Sequence, residues 1–116
     1  MTVSKRPAKV PSFTLQKETH CGPMYIIVGH INGKIIEVFA ILGKAGGCGS
    51  AVVDGMARMI SYGLRSGMEP DRVIKGMSGI QCHQGPDTCC NAIALAVKEV
   101  MNELEEMEIC EEGYDR

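Results

Sequence analysis

Asn32-Gly33 stands between two runs of β-branched and aliphatic residues, Met24-Tyr25-Ile26-Ile27-Val28-Gly29-His30-Ile31 and Lys34-Ile35-Ile36-Glu37-Val38-Phe39-Ala40-Ile41-Leu42. Asn and Gly both accept the positive φ that the centre of a two-residue hairpin turn requires, so this pair predicts a tight antiparallel hairpin. Upstream, residues 13–20 open with apolar/polar alternation, the pattern of a half-buried strand, and Gly22-Pro23 breaks them from the first arm of the hairpin. The N-terminal third therefore reads as an antiparallel sheet.

After Ser50 the period changes. Val53, Met56, Met59/Ile60 and Gly63/Leu64 recur at helical spacing, with Asp54, Arg58 and Arg65 on other faces, and Ser66-Gly67 supplies the stop. Glu69-Pro70-Asp71 opens a second, shorter helix to about Gly76, with Val73, Ile74 and Met77 as inward candidates. A third helix begins around Thr88, where Thr88 or Asp87 serves as cap, and Ile93, Val97, Val100, Leu104 and Met107 form its apolar seam. Strands first and helices after give an α+β fold, an N-terminal antiparallel sheet packed by two main helices and one short one. The expected organisation is a flexible lead-in at 1–12, a single domain at 13–108 and an acidic tail at 109–116.

The chain has 116 residues, enough for one core, and its hydrophobic content of 45% with only 4% aromatics makes that core aliphatic. Eight methionines suit irregular packing or an adaptable surface, hence an expected homo-oligomer. A formal charge of −2 argues against binding a nucleic-acid polymer, which wants a basic face. No run is long and apolar enough to span a membrane and no export signal appears, so the expected location is the cytoplasm, with thiols reduced.

Gly43-Lys44-Ala45-Gly46-Gly47-Cys48-Gly49-Ser50 links the last strand to the first long helix. Backbone N–H groups at a helix start with a lysine beside them suit phosphate, which makes Lys44, Gly46, Gly47 and Ser50 candidate ligand-binding residues. Arg58 and Arg65, on the helix that follows, are candidates to complete the anion site from the side or from a neighbouring subunit. The loop is neither a P-loop nor a dinucleotide fingerprint, and glycines that merely supply a tight connection are the competing reading. Cys82, Cys89 and Cys90, with His83 nearby, are candidate zinc ligands or redox thiols. Adjacent Cys89-Cys90 directs two sulfurs poorly at one ion, and small buried thiols are the alternative. No catalytic Ser/His/Asp arrangement or carboxylate pair is visible.

Four ordered segments carry a family resemblance: Phe39-Ala40-Ile41-Leu42-Gly43-Lys44-Ala45-Gly46-Gly47-Cys48, Ile60-Ser61-Tyr62-Gly63-Leu64-Arg65-Ser66-Gly67, Gly79-Ile80-Gln81-Cys82 and Thr88-Cys89-Cys90-Asn91-Ala92-Ile93-Ala94. Together they resemble the TSCPD domain found near the C-terminus of cobalamin-dependent (class II) ribonucleotide reductases. Two departures stand out: the family's Ser-Cys-Pro-Asp-type motif is Thr88-Cys89-Cys90-Asn91 here, and its Arg-Cys-Pro-type segment is Gln81-Cys82-His83. The catalytic barrel of such a reductase has no room in this chain. The resemblance implies a non-catalytic stand-alone module that binds a nucleotide or other phosphate-bearing ligand, a ribonucleotide reductase, or both, in deoxynucleotide metabolism. Alternatives are an oligomeric phage-type sponge for a cyclic-nucleotide or ADP-ribose-type immune signal, and a zinc or thiol redox module.

Overall fold

The computed structural model describes residues 3–43, 47–81, 85 and 88–114, with side chains except those of 47–49 and 108–114. Its elements in chain order are β1 (Ser12–Thr19), β2 (Gly22–Ile31), β3 (Lys34–Leu42), α1 (Gly47–Arg65), α2 (Pro70–Met77) and α3 (Cys89–Tyr114). The strands form one antiparallel sheet in the order β1-β2-β3. This is the expected α+β fold, and Asn32 (φ 54°) and Gly33 (φ 78°) make the expected turn.

Met24, Ile26 and Val28 of β2 stand opposite Leu42, Ala40 and Val38 of β3 on one face, joined by Phe13, Leu15 and Lys17 of β1. The β2 and β3 members of this set are buried, and Ile93, Val97, Val100 and Leu104 of α3 complete the core above them. Met107, expected on the same seam, is exposed instead. α1 packs along β3 through Val53, Ala57, Ile60 and Leu64, and α2 packs on α3. Strict alternation along β3 would send Ile36 to the core. A bulge between Gly29 and His30 in the β2–β3 register puts Ile35 there instead, and Ile36 turns outward.

β3 would be an open edge but for α1. The Ser61 hydroxyl accepts from the Val38 N–H at 2.9 Å and donates to the Val38 carbonyl at 3.0 Å, so a helix side chain stands in for a fourth strand. α1 ends in a Schellman arrangement: Met68 N–H bonds the Gly63 carbonyl and Gly67 N–H the Leu64 carbonyl, with Gly67 at φ 109°.

Two helix boundaries differ from expectation. α1 starts at Gly47 rather than Ser50, taking up glycines that read as loop, and α3 continues to Tyr114, through most of the segment expected to be a tail. Residues 3–11, expected as a lead-in, contain no helix or strand but cross the outer face of the sheet. Ser4 N–H bonds the Arg65 carbonyl, Arg6 reaches Glu37, and Val10 lies over Gly29. Among the described residues no helix is long and apolar enough to cross a membrane.

Candidate functional site

The expected anion-binding residues lie at two ends of one helix. Lys44 and Gly46 fall outside the described residues, Gly47 opens α1, and Ser50 sits half-buried in its first turn. Arg58 is exposed at mid-helix and paired with Asp54 at 3.1 Å. Arg65 closes the helix. At 1.5 Å rise per residue, α1 holds Gly47 and Arg65 about 27 Å apart, so within one protomer they do not meet on a single small ligand.

At the Arg65 end a groove of about 590 Å³ opens between the hairpin turn, the C-terminus of α1 and the N-terminal segment. Its lining contains three cations, Lys5, Lys34 and Arg65, and no carboxylate. Ile31, Ile36, Leu64 and Pro7 supply an apolar wall, and Ser4, Asn32 and Ser66 add polar groups. Local geometry builds it: the Asn32-Gly33 turn presents Lys34, the β-bulge turns Ile36 outward, and the Gly67 stop ends the helix at Ser66.

Behind the groove lies a buried carboxylate. Glu37 is 2% exposed and receives two bonds from Arg6, Nε at 2.6 Å and Nη2 at 3.0 Å, with Arg65 Nη1 at 3.7 Å. This fork-on-fork contact raises the Arg6 pKa further above its ordinary value, through the hydrogen bond first and the charge of Glu37 second. Glu37 fits only because Gly29 lacks a side chain: a Cβ there would stand 2.7 Å from Glu37 Cγ and 2.9 Å from Val10 Cγ1. Arg6 answers Glu37 directly, and Arg65 adds a longer ion pair to the same acid. Its Nε is buried with no hydrogen-bond partner among the described residues, and its guanidinium stands 5.8 Å from the centre of the Tyr62 ring.

The cysteine region is organised otherwise. Thr88 caps α3, accepting from the Asn91 N–H at 3.1 Å while donating to the Ile80 carbonyl at 2.6 Å. Asn91 Oδ1 accepts from the Gly79 N–H at 3.0 Å. The two polar members of Thr88-Cys89-Cys90-Asn91 thus clasp the preceding loop to the helix start. Cys89 is half-buried against the core, and Cys90 is half-buried with its Sγ 3.7 Å from Met56 Sδ. Burial, then the neighbouring Cys89, pushes the Cys90 thiol pKa up, the opposite of what a reactive thiolate needs. Cys82 lies outside the described residues, and among those described no group of three or more His, Cys, Asp and Glu is placed to hold a metal.

Lys5, Lys34 and Glu37 were not expected in the site. Each lysine alone reads as a solvated surface charge. Glu37, a carboxylate within an apolar strand run, carried the one available signal, since a buried acid needs a cationic partner.

No curated protein and no solved structure matches the chain. The family model described as the TSCPD domain matches residues 2–101, which takes in all three strands, α1, α2 and the first half of α3. This chain belongs to the TSCPD domain family.

Proposed function

We propose that the chain is a non-catalytic TSCPD module that binds a phosphate-bearing ligand, with nucleotides as the fitting class, in the groove formed by Lys5, Lys34 and Arg65. The observation that carries this reading is the convergence of three cations, without a carboxylate, on one concave wall. The volume falls within the range of small-ligand sites, roughly 300–1,000 Å³. An apolar wall from Ile31, Ile36 and Leu64 suits the body of such a ligand, while Arg65 and the two lysines suit its anionic end. The described lining holds no His, Cys, Asp or Glu, and the Ser66 hydroxyl already donates to the Tyr62 carbonyl at 2.7 Å, so the residues favour holding over turnover. Family membership makes a ribonucleotide reductase the macromolecular partner to test beside the small molecule.

Isothermal titration with pyrophosphate, a nucleoside diphosphate and the parent nucleoside checks the proposal. The diphosphate is expected to bind, with affinity falling as salt rises. Arg65→Ala and Lys34→Ala should each weaken binding about 10- to 100-fold, as loss of one charge-assisted contact implies. Equal affinity in wild type and both variants, or no binding of either anion, overturns the reading.

A further inference from the structure

We infer that β1 is a dimerisation strand, and that two copies of this chain pair antiparallel along their β1 edges across a two-fold axis at Leu15. The sheet has two edges: α1 closes that of β3, and among the described residues no strand other than β2 pairs with β1. On the other side, the Pro11 carbonyl accepts from the His30 N–H at 3.0 Å, and the register continues unbroken from Ser12↔Gly29 to Thr19↔Gly22. Antiparallel ladders alternate, so the backbone groups of residues 13, 15 and 17 turn toward β2, while those of Thr14 and Gln16 turn to the open edge.

The core beneath that edge is incompletely covered. Phe13 and Leu15 are only half-buried, and a groove of about 140 Å³ runs between β1 and α3, lined by Phe13, Leu15, Glu99, Val100 and Glu103. An edge strand beside a helix-walled groove is the geometry to which an extended segment adds.

Register and charge select a second copy as the occupant. Self-pairing keeps core side chains on the core face only where the paired residue numbers sum to an even value. With the axis at Leu15, Thr14 meets the partner's Gln16, Leu15 meets the partner's Leu15, and Phe13 meets the partner's Lys17. In each copy Lys17 bonds its own Glu99 at 2.6 Å, whereas Glu103, on the groove beside Phe13, has no ion pair among the described residues. The partner's Lys17 arrives at that acid. An axis one residue on, at Gln16, would set Leu15 against a lysine, and one residue back, at Thr14, would pair Phe13 with the partner's Leu15 but carry the partner's Lys17 away from Glu103, so it is the charge that selects the axis at Leu15.

Sedimentation velocity over a concentration series tests this. Wild type is expected at twice the 12.5 kDa chain mass and Gln16→Pro at the chain mass, with an unchanged circular dichroism spectrum, because that N–H makes no bond to β2 and edge prolines are tolerated. Leu15→Cys gives a second readout: facing residues of a non-hydrogen-bonded pair lie about 4.5 Å apart, within disulfide reach, so mild oxidation should yield covalent dimer above the wild-type background. A wild type that stays at the chain mass, a folded Gln16→Pro that stays dimeric, or Leu15→Cys with no excess cross-linking overturns the proposal. Should Gln16→Pro unfold, the cross-link decides.

Discussion

Removing a single hydroxyl from α1 should weaken the whole fold, because Ser61 supplies both partners of Val38 at the β3 edge. The residue is 4% exposed, and its Oγ lies 2.9 Å from Val38 N and 3.0 Å from Val38 O. Ser61→Ala leaves an N–H and a C=O facing a methyl group beneath a packed helix, where water has no access. Each buried backbone group left unpaired costs about 1–3 kcal/mol. The better helix propensity of alanine returns only about 0.5 kcal/mol. The net loss is about 1.5–5.5 kcal/mol, a large part of the ~5–15 kcal/mol that holds a domain folded. At about 4 °C per kcal/mol for a chain of this size, the midpoint should fall on the order of 10 °C. Urea unfolding followed by far-ultraviolet circular dichroism measures the loss, with an unchanged slope showing that the same surface is exposed. Native-state hydrogen exchange should show Val38 N–H losing protection, and Ser61→Thr should restore much of the stability. A loss below about 0.5 kcal/mol, or a Val38 amide protected as before, would refute the view that Ser61 closes this edge.

Thr88→Ala removes both the α3 cap and the bond to Ile80, so urea unfolding should report a loss of about 1–2 kcal/mol, with fast exchange appearing at Gly79 and Asn91 amides. Cys90 should alkylate with iodoacetamide more slowly than exposed Cys21, as peptide mapping by mass spectrometry would read. The folded Cys90 thiol holds its proton more tightly than the unfolded one. Its contribution is therefore complete below the ordinary thiol pKa and is lost as pH rises through the raised value, so the stability gap between wild type and Cys90→Ala should shrink on going from neutral to alkaline buffer.

The hairpin was legible because Asn32-Gly33 is a local signal whose backbone demand few other pairs meet, and the helices were legible from Val53, Ile60 and Leu64 and from Ile93, Val97, Val100 and Leu104. What misled was equally physical. Glycines at 47 and 49 have low helix propensity, yet both lie within α1. The turn of Ile36 out of the core follows from a bulge, which periodicity of two cannot foresee. Of the three cations of the groove, only Arg65 carries a signal in the sequence, its place on the helix that follows the glycine loop. Lys5, Lys34 and Arg65 are far apart in the chain, and nothing in the neighbourhood of any one announces the other two.

The bidentate contact of Arg6 with Glu37 has a consequence for how this domain can diverge. Four positions share one volume and one charge balance: an acid at 37, guanidinium groups at 6 and 65, and the space kept open at 29. Replacing Glu37 by an apolar residue would leave two cations facing each other, and a side chain at 29 would expel the carboxylate. Substitution at any of the four is therefore expected to be accompanied by change at the others, so that across related chains the strand glycine should covary with an arginine well upstream in the sequence, near the N-terminus.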